Sequence, residues 1–231
     1  YLDHDEHQTQ NVFTTDSCDQ ISIVLSGRLW DRNELAMSLD VDAAQSDAAL
    51  ILSAFRRHGA DCLTQLDGDF AFVLYDAGKK TVVCARDAMG VHPLCYAFNG
   101  RRLVVASEPR QILATGVSSQ PCDESIAAYM ATTRHLYGGS RTFYRDVYRV
   151  EPGHFVVVGE SGVRAQRHWQ LDPDRRVEER NDQEMAEKVR ELMIDAVRRR
   201  IPDRAPYACA VSGGFDSSSV AALFRQAIDS G

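Results

Sequence analysis

The sequence predicts a layered α+β domain built on antiparallel sheets, running on into the first elements of an α/β unit. Three observations predict it. Short apolar runs separated by turn signals fill the first 170 residues or so. Only two helical periodicities interrupt them. The remaining residues then change to helix, apolar run, glycine–serine loop and helix.

Composition bounds the rest. With 44% hydrophobic and 26% charged residues, the 231-residue chain reads as an ordinary globular protein rather than a disordered or fibrous one. Its net charge of −7 gives no support for nucleic-acid binding or for docking on an anionic membrane. No apolar run approaches the roughly 20 residues that a membrane-spanning helix needs. The opening Tyr1-Leu2-Asp3-His4-Asp5-Glu6 is polar and acidic, unlike a secretory leader, so the expected location is cytoplasmic. Both ends read as cut: there is no initiating methionine, and Ser230-Gly231 follows directly on the first helix of a new unit. The six cysteines Cys18, Cys62, Cys84, Cys95, Cys122 and Cys209 form no C-x-x-C pair and match no zinc spacing. Cys84, Cys95 and Cys209 lie in apolar strand-like runs and are expected to be structural thiols.

The elements follow in order. Ile21 to Leu25 is an apolar run entering an expected Ser26-Gly27 turn. A helix is expected from about Asp47 to His58, with Leu50, Ile51, Ala54 and Phe55 on one face and Gly59 as its stop. Phe70 to Tyr75 and Thr81 to Ala85 flank Asp76-Ala77-Gly78-Lys79-Lys80 as a hairpin. Leu94 to Phe98 and Leu103 to Ala106 flank Asn99-Gly100, a strong hairpin signal because both residues tolerate positive φ. A second helix begins near Asp123 with Ile126, Ala127, Tyr129 and Met130. Phe155 to Val158 and Val163 to His168 form a further hairpin around Gly159-Glu160-Ser161-Gly162.

The charged, proline-containing stretch over 171–181 reads as a linker between domains spanning 1–170 and 182–231. A helix follows from about Asp182 to Arg200, with Met185, Val189, Leu192, Met193 and Ala196 along one stripe and a Glu184–Lys188 pair at i,i+4. Arg198-Arg199-Arg200 is either a ligand clamp or a solvated last turn, where the helix dipole favours positive charge.

The last elements carry chemistry. Tyr207-Ala208-Cys209-Ala210-Val211 is apolar without alternation, as in a parallel strand buried on both faces. Ser212-Gly213-Gly214-Phe215-Asp216-Ser217-Ser218 follows, and then a helical pattern from Ser219 to Ile228. In such a strand–loop–helix context, Gly213 and Gly214 let backbone N–H groups approach an anion. Ser212, Ser217 and Ser218 add hydroxyl donors, and the helix N-terminus adds partial positive charge. Asp216 fits an anion site only by holding a Mg²⁺ that bridges phosphates. The lack of Gly-Lys-Ser/Thr separates this loop from Walker-type loops. An ATP–pyrophosphate cradle is the reading; a serine–glycine turn that merely starts a helix is the simpler alternative.

With those residues in hand, Ala210-Val211-Ser212-Gly213-Gly214-Phe215-Asp216-Ser217-Ser218 resembles the SGGxDSS signature of the asparagine synthetase family. Upstream, Leu66 to Asp76 is similar to the central strand of that family's glutaminase domain. Ala85-Arg86-Asp87-Ala88-Met89-Gly90-Val91-His92-Pro93-Leu94 is similar to its RDxxGxxPL turn, and Ala106-Ser107-Glu108 to its ASE. Thr142-Phe143-Tyr144, Pro152-Gly153-His154 and His168-Trp169 complete a resemblance that covers roughly residues 20 to 228.

The resemblance implies a four-layer αββα sandwich of the N-terminal-nucleophile-hydrolase kind, followed by the start of an ATP-pyrophosphatase domain. It also implies the chemistry. An N-terminal cysteine releases ammonia from glutamine, and the second domain adenylates a carboxylate with ATP and Mg²⁺, releasing pyrophosphate before amide formation. By the same resemblance Val211, Ser212, Gly213, Gly214, Asp216, Ser217 and Ser218 bind ATP or pyrophosphate, and Asp216 holds the metal. Ser26, Gly27, Arg28 and Asp47 fall on the glutamine-binding positions in degenerate form.

Residue 1 is Tyr, so no catalytic nucleophile is identified, and Cys18 is internal and no substitute. Ser26-Gly27-Arg28 stands where the family has Asn-Gly-Glu; Ser26 is a shorter donor than the oxyanion-hole Asn, and Arg28 reverses a charge. Asp47 matches the aspartate that binds the glutamine amine, and it equally suits a helix cap. Two readings of the amine are therefore open. One is ammonia from glutamine; the other is an amine carried by the small-molecule or peptide carboxylate substrate, as in lasso-peptide cyclases and β-lactam synthetases. A non-catalytic scaffold is a third possibility for the chain by itself.

Overall fold

The structure is a computed structural model that describes residues 12–16, 20–132, 139–176, 181–201 and 208–229. Tyr1, Cys18, linker residues 177–180, Tyr207 and the terminal Ser230-Gly231 lie outside the described residues. The chain divides into two compact units, Thr9–Leu171 and Asp172–Gly231.

The first unit is a four-layer αββα sandwich. Its larger sheet has six antiparallel strands in the order β1 (Val12–Asp16), β2 (Ile21–Leu29), β3 (Gly68–Asp76), β4 (Thr81–Arg86), β8 (His154–Gly159) and β9 (Gly162–Arg167). The smaller sheet runs β6 (Leu103–Ala106), β5 (Cys95–Phe98), β7 (Tyr148–Arg149).

Alternation along β3 explains the layering. Phe70, Phe72 and Leu74 point to one face and join Ile23 and Leu25 of β2 against α1 (Arg32–Leu39) and α2 (Asp47–His58). Ala71 and Val73 point to the other face, where Cys84, Val156 and Val158 meet Leu94, Tyr96 and Val150 between the two sheets. Cys95 and Ala97 on the far face of β5 then pack on Ile112 of α3 (Pro109–Leu113). A strand buried on both faces must be apolar throughout, and each fully buried Phe or Leu contributes about 1.5–3 kcal/mol.

Helix α2 spans its expected range. Ser46 caps it, accepting from the Ala49 N–H, and Gly59 ends it at φ 60°. α4 (Asp123–Thr132) begins where the sequence placed it. The sequence reading did not include α1, a 3₁₀ helix over Gly59–Gln65, or α3, in which Glu108 and Gln111 form a capping box around Pro109. All three are short, and so carry little periodic signal.

Ser26 and Gly27 are not a turn. Strand β2 continues through them to Leu29, with Gly27 paired to Phe70 and Arg28 to Asp69. Gly27 sits at φ 117°, and a Cβ there would lie 2.1 Å from the Asp69 carbonyl oxygen. Two residues along the facing strand, where Gly68 pairs with Leu29, a Cβ on Gly68 would lie 2.3 Å from the Arg28 carbonyl oxygen. Glycine at this point signals close approach of two strands, not a reversal. Gly27→Ala is expected to destabilise this unit by about 3 kcal/mol or more, from overpacking plus backbone strain. A loss below 1 kcal/mol in denaturant unfolding would contradict the close approach.

The second unit contains α5 (Asp182–Arg198), capped by Asn181, and α6 (Phe215–Asp229). The strand expected over Tyr207 to Val211 is absent: Ala208 to Val211 adopt no strand, and Cys209 is exposed. An isolated strand has no ladder to satisfy its backbone, and the described residues of this unit supply no partner strand. α6 also starts earlier than Ser219, so Asp216, Ser217 and Ser218 lie in its first turn. Arg199 bonds Asp195 at 2.8 Å and Arg200 donates to the Ala196 carbonyl, each a contact within one turn of the helix end. Among the described residues no helix is long and apolar enough to cross a membrane.

Candidate functional site

In the first unit the site is built on one buried carboxylate. Asp87 follows β4 and is 1% exposed. Its Oδ1 accepts the N–H groups of Met89 and Val91, and its Oδ2 those of Phe70 and His92. The Asp87 N–H donates to the Phe70 carbonyl, and its own carbonyl accepts from Gly153. Arg86 closes the turn from the other side, donating through Nε to the His92 carbonyl at 2.7 Å, through Nη1 to Val150 and through Nη2 to Gly90. His168 Nε2 donates to the Arg86 carbonyl at 2.9 Å, and burial pushes the His168 pKa down. The segments Arg86–Leu94, Pro152-Gly153-His154 and His168-Trp169 thus form one hydrogen-bonded knot. Its product is a fixed position for His92.

His92 reaches the strand that carries three of the expected glutamine-site residues. Its Nδ1 lies 3.2 Å from Ser26 Oγ on β2. Burial lowers the His92 pKa below the ordinary 6.5, opposed by the nearby Asp87 and Asp69 carboxylates. The next outlying side chain, Arg28, stacks its guanidinium 4.3 Å from the centre of the Trp30 ring.

Asp47 is brought to the end of the same strand, but it does not cap α2. Its Oδ2 accepts the Leu29 N–H at 2.9 Å, and its Oδ1 pairs with Arg32 Nε at 3.1 Å. Arg32 also donates to the Gln45 carbonyl. Both carboxylate oxygens are engaged, and the charge is matched by a neighbour. Sequence reasoning did not single out His92, Arg32 or Trp30. His92 stands inside a quoted motif, yet only the fold reveals that it faces Ser26 across 66 residues.

Hydrogen bonding to Ser125 draws the Cys122 thiol down, whereas burial raises the other described cysteines of this unit. Cys62 and Cys84 are buried, which pushes both thiols up to about 12. Among the described residues no group of three or more His, Cys, Asp or Glu side chains could hold a metal ion.

In the second unit, Val211 to Gly214 lead directly into α6. Gly213 has φ 82°, a conformation that side chains strain to adopt. Ser212 Oγ lies 3.0 Å from Ser217 Oγ, and the Ser212 N–H donates to the same oxygen. The Ser217 and Ser218 hydroxyls donate to the Gly214 carbonyl. These bonds fold the loop back over the helix start. Helix geometry leaves the N–H groups of Phe215, Asp216 and Ser217 with no carbonyl one turn back inside α6. A 15-residue helix presenting such groups is suited to an anion. The loop's oxygen-only donor set, Asp216 with its neighbouring hydroxyls, fits a hard cation such as Mg²⁺.

Comparison with known proteins bears on both units. Residues 2–169 match a family model described as a glutamine amidotransferase domain, and residues 188–229 match one described as asparagine synthase. Amidase chry2 of Gibberella zeae is 32% identical over 218 residues, covering 91% of this chain and 32% of the relative. Asparagine synthetase [glutamine-hydrolyzing] 3 of Bacillus subtilis is 27% identical over 213 residues, covering 89% of this chain and 34% of the relative. Glutamine phosphoribosylpyrophosphate amidotransferase from B. subtilis, in complex with ADP and GMP, aligns with a TM-score of 0.49 at 19% identity, over 95% of this chain and 47% of that one. The chain spans about a third of the length of the curated relatives named here.

Proposed function

The chain belongs to the glutamine amidotransferase domain family and carries part of an asparagine synthase domain, and from that premise we propose that the whole protein is an ATP-dependent amide-forming ligase. It activates a carboxylate by adenylation, releases pyrophosphate, and forms the amide with ammonia taken from glutamine. The observation that carries this reading is the turn from Ser212 to Ser218, with Gly213 at φ 82° leading directly into the N-terminus of the 15-residue α6. The first N–H groups of that helix would receive the phosphates, with the loop hydroxyls as further donors. Asp216 would hold Mg²⁺, which neutralises phosphate charge when bound.

The test is ATP–pyrophosphate exchange by the full-length protein with a panel of amino-acid and peptide carboxylates. Exchange that requires both Mg²⁺ and one carboxylate supports the proposal. Absence of exchange across the panel, with ATP binding intact, would sink it.

A second reading of the amine is favoured by one observation. Asp47, which matched both the aspartate on the glutamine amine and a helix cap, is instead paired with Arg32 and bonded to the Leu29 N–H. On that reading the nucleophilic amine belongs to the carboxylate substrate itself, and the first unit is a retained scaffold. Glutamine labelled with ¹⁵N in the side-chain amide separates the two. Label in the product, with glutamate formed in equal amount, supports ammonia transfer; product formed without consuming glutamine supports an internal amine. If glutamine is hydrolysed, Arg32→Ala is expected to lower its KM about fivefold, because a half-buried ion pair of this kind withholds about 1 kcal/mol from the ligand. An unchanged KM would mean that Asp47 does not meet glutamine.

A further inference from the structure

We propose that Ser26 and His92 form a hydroxyl–imidazole couple that makes Ser26 an acyl-accepting nucleophile, a reactive centre distinct from a terminal thiol and from the ATP loop. Three features of the site carry this. Ser26 is held in the ladder of β2 opposite Ala71, so its Oγ has a defined direction, and it is only partly buried. His92 is fixed at both ends of its backbone, by Asp87 on the N–H and Arg86 on the carbonyl, which places Nδ1 3.2 Å from that oxygen. This is the reach of a nucleophile and its base, and the base is oriented through its backbone rather than through its second ring nitrogen. The charged groups facing the imidazole are Asp87 and Asp69 on one side of the balance and Arg86 and Arg28 on the other. Burial outweighs them and keeps the ring neutral at pH 7, which is the form a general base needs.

The chemistry closes without any further reagent than an activated ester or amide and water. In the tautomer protonated at Nε2, Nδ1 accepts the Ser26 O–H proton as Oγ bonds to the carbonyl carbon. The carbonyl electron pair moves to its oxygen. When it returns, the leaving group departs with the proton from Nδ1–H, and Ser26 is left acylated. Water then repeats the two transfers and regenerates the hydroxyl.

The experiment treats the full-length protein with a fluorophosphonate ester, without ATP or glutamine, and locates the adduct by peptide mass spectrometry. The expected result is one phosphonyl group on Ser26, with a rate that is flat at neutral pH and falls in acid below pH 6.5 as His92 protonates. His92→Gln should slow labelling at least about tenfold, with folding checked by thermal unfolding. A wild-type measurement stands beside the variant: ¹⁵N chemical shifts of labelled histidine should show His92 Nδ1 unprotonated at pH 7. Absence of an adduct at Ser26, a rate unmoved by His92→Gln in a folded variant, or a proton on Nδ1 would each overturn the couple. Because the assay uses neither glutamine nor ATP, its failure leaves the ligase reading standing, and loss of exchange activity leaves this one standing.

Discussion

Replacing Asp216 by alanine in the full-length protein should reduce ATP–pyrophosphate exchange at least about 100-fold, the scale seen when one charge-stabilising group is removed from a preorganised site. The size of the effect separates two roles for this residue. Asp216 is exposed in the first turn of α6, where any acidic side chain stabilises the helix through its dipole. That contribution is about 0.3–1 kcal/mol, which as an activity change is less than about sixfold. A cation held at the phosphates is worth several kcal/mol. Asp216→Asn retains a polar side chain at the helix start but loses the charge, and it should behave like alanine in exchange while losing no more than about 1 kcal/mol of stability. Exchange within tenfold of wild type in both variants would reduce Asp216 to a helix residue and remove the metal from the proposal.

Asp87→Ala should cost the first unit about 4 kcal/mol, since it strips the acceptor from four backbone N–H groups at a site closed to water. For a unit of this size the midpoint of thermal unfolding would fall by about 8–16 °C. Asp87→Asn should rescue little. An amide keeps one oxygen, and its NH₂ group would then face two N–H donors. The same variants should also release His92 from Ser26, so a folded remnant would lose the labelling expected at Ser26. A midpoint within about 2 °C of wild type would show that the turn does not depend on this carboxylate.

The first unit was largely legible because its strands carry their own evidence. The apolar run in Phe70–Tyr75, the Asp76–Lys80 turn and the Asn99-Gly100 pair each specify local structure, and all appear close to where they were expected. The helix over Asp47–His58 was equally clear, because Ser46, its apolar face and Gly59 agree with one another. Motif order identified the family, and the two family models cover most of the same residues. What failed was local reading at glycine and in isolated apolar runs. Ser26-Gly27 looked like a turn, and Gly27 turned out to be the point where β3 presses against β2. Tyr207 to Val211 looked like a buried strand, but a strand is a property of a pair.

The sequence by itself therefore determined most strands, their hairpin turns and the serine–glycine composition of Ser212 to Ser218, since each depends on neighbours along the chain. Only the tertiary structure decided what Asp47, Ser26 and His92 touch. Asp47 meets Arg32 rather than its own helix end, and His92 crosses 66 residues to reach Ser26. The physical reason is that a side chain's protonation and reactivity are set by distance and burial. Those are fixed by strand register and by the knot around Asp87, and neither is written in local spacing.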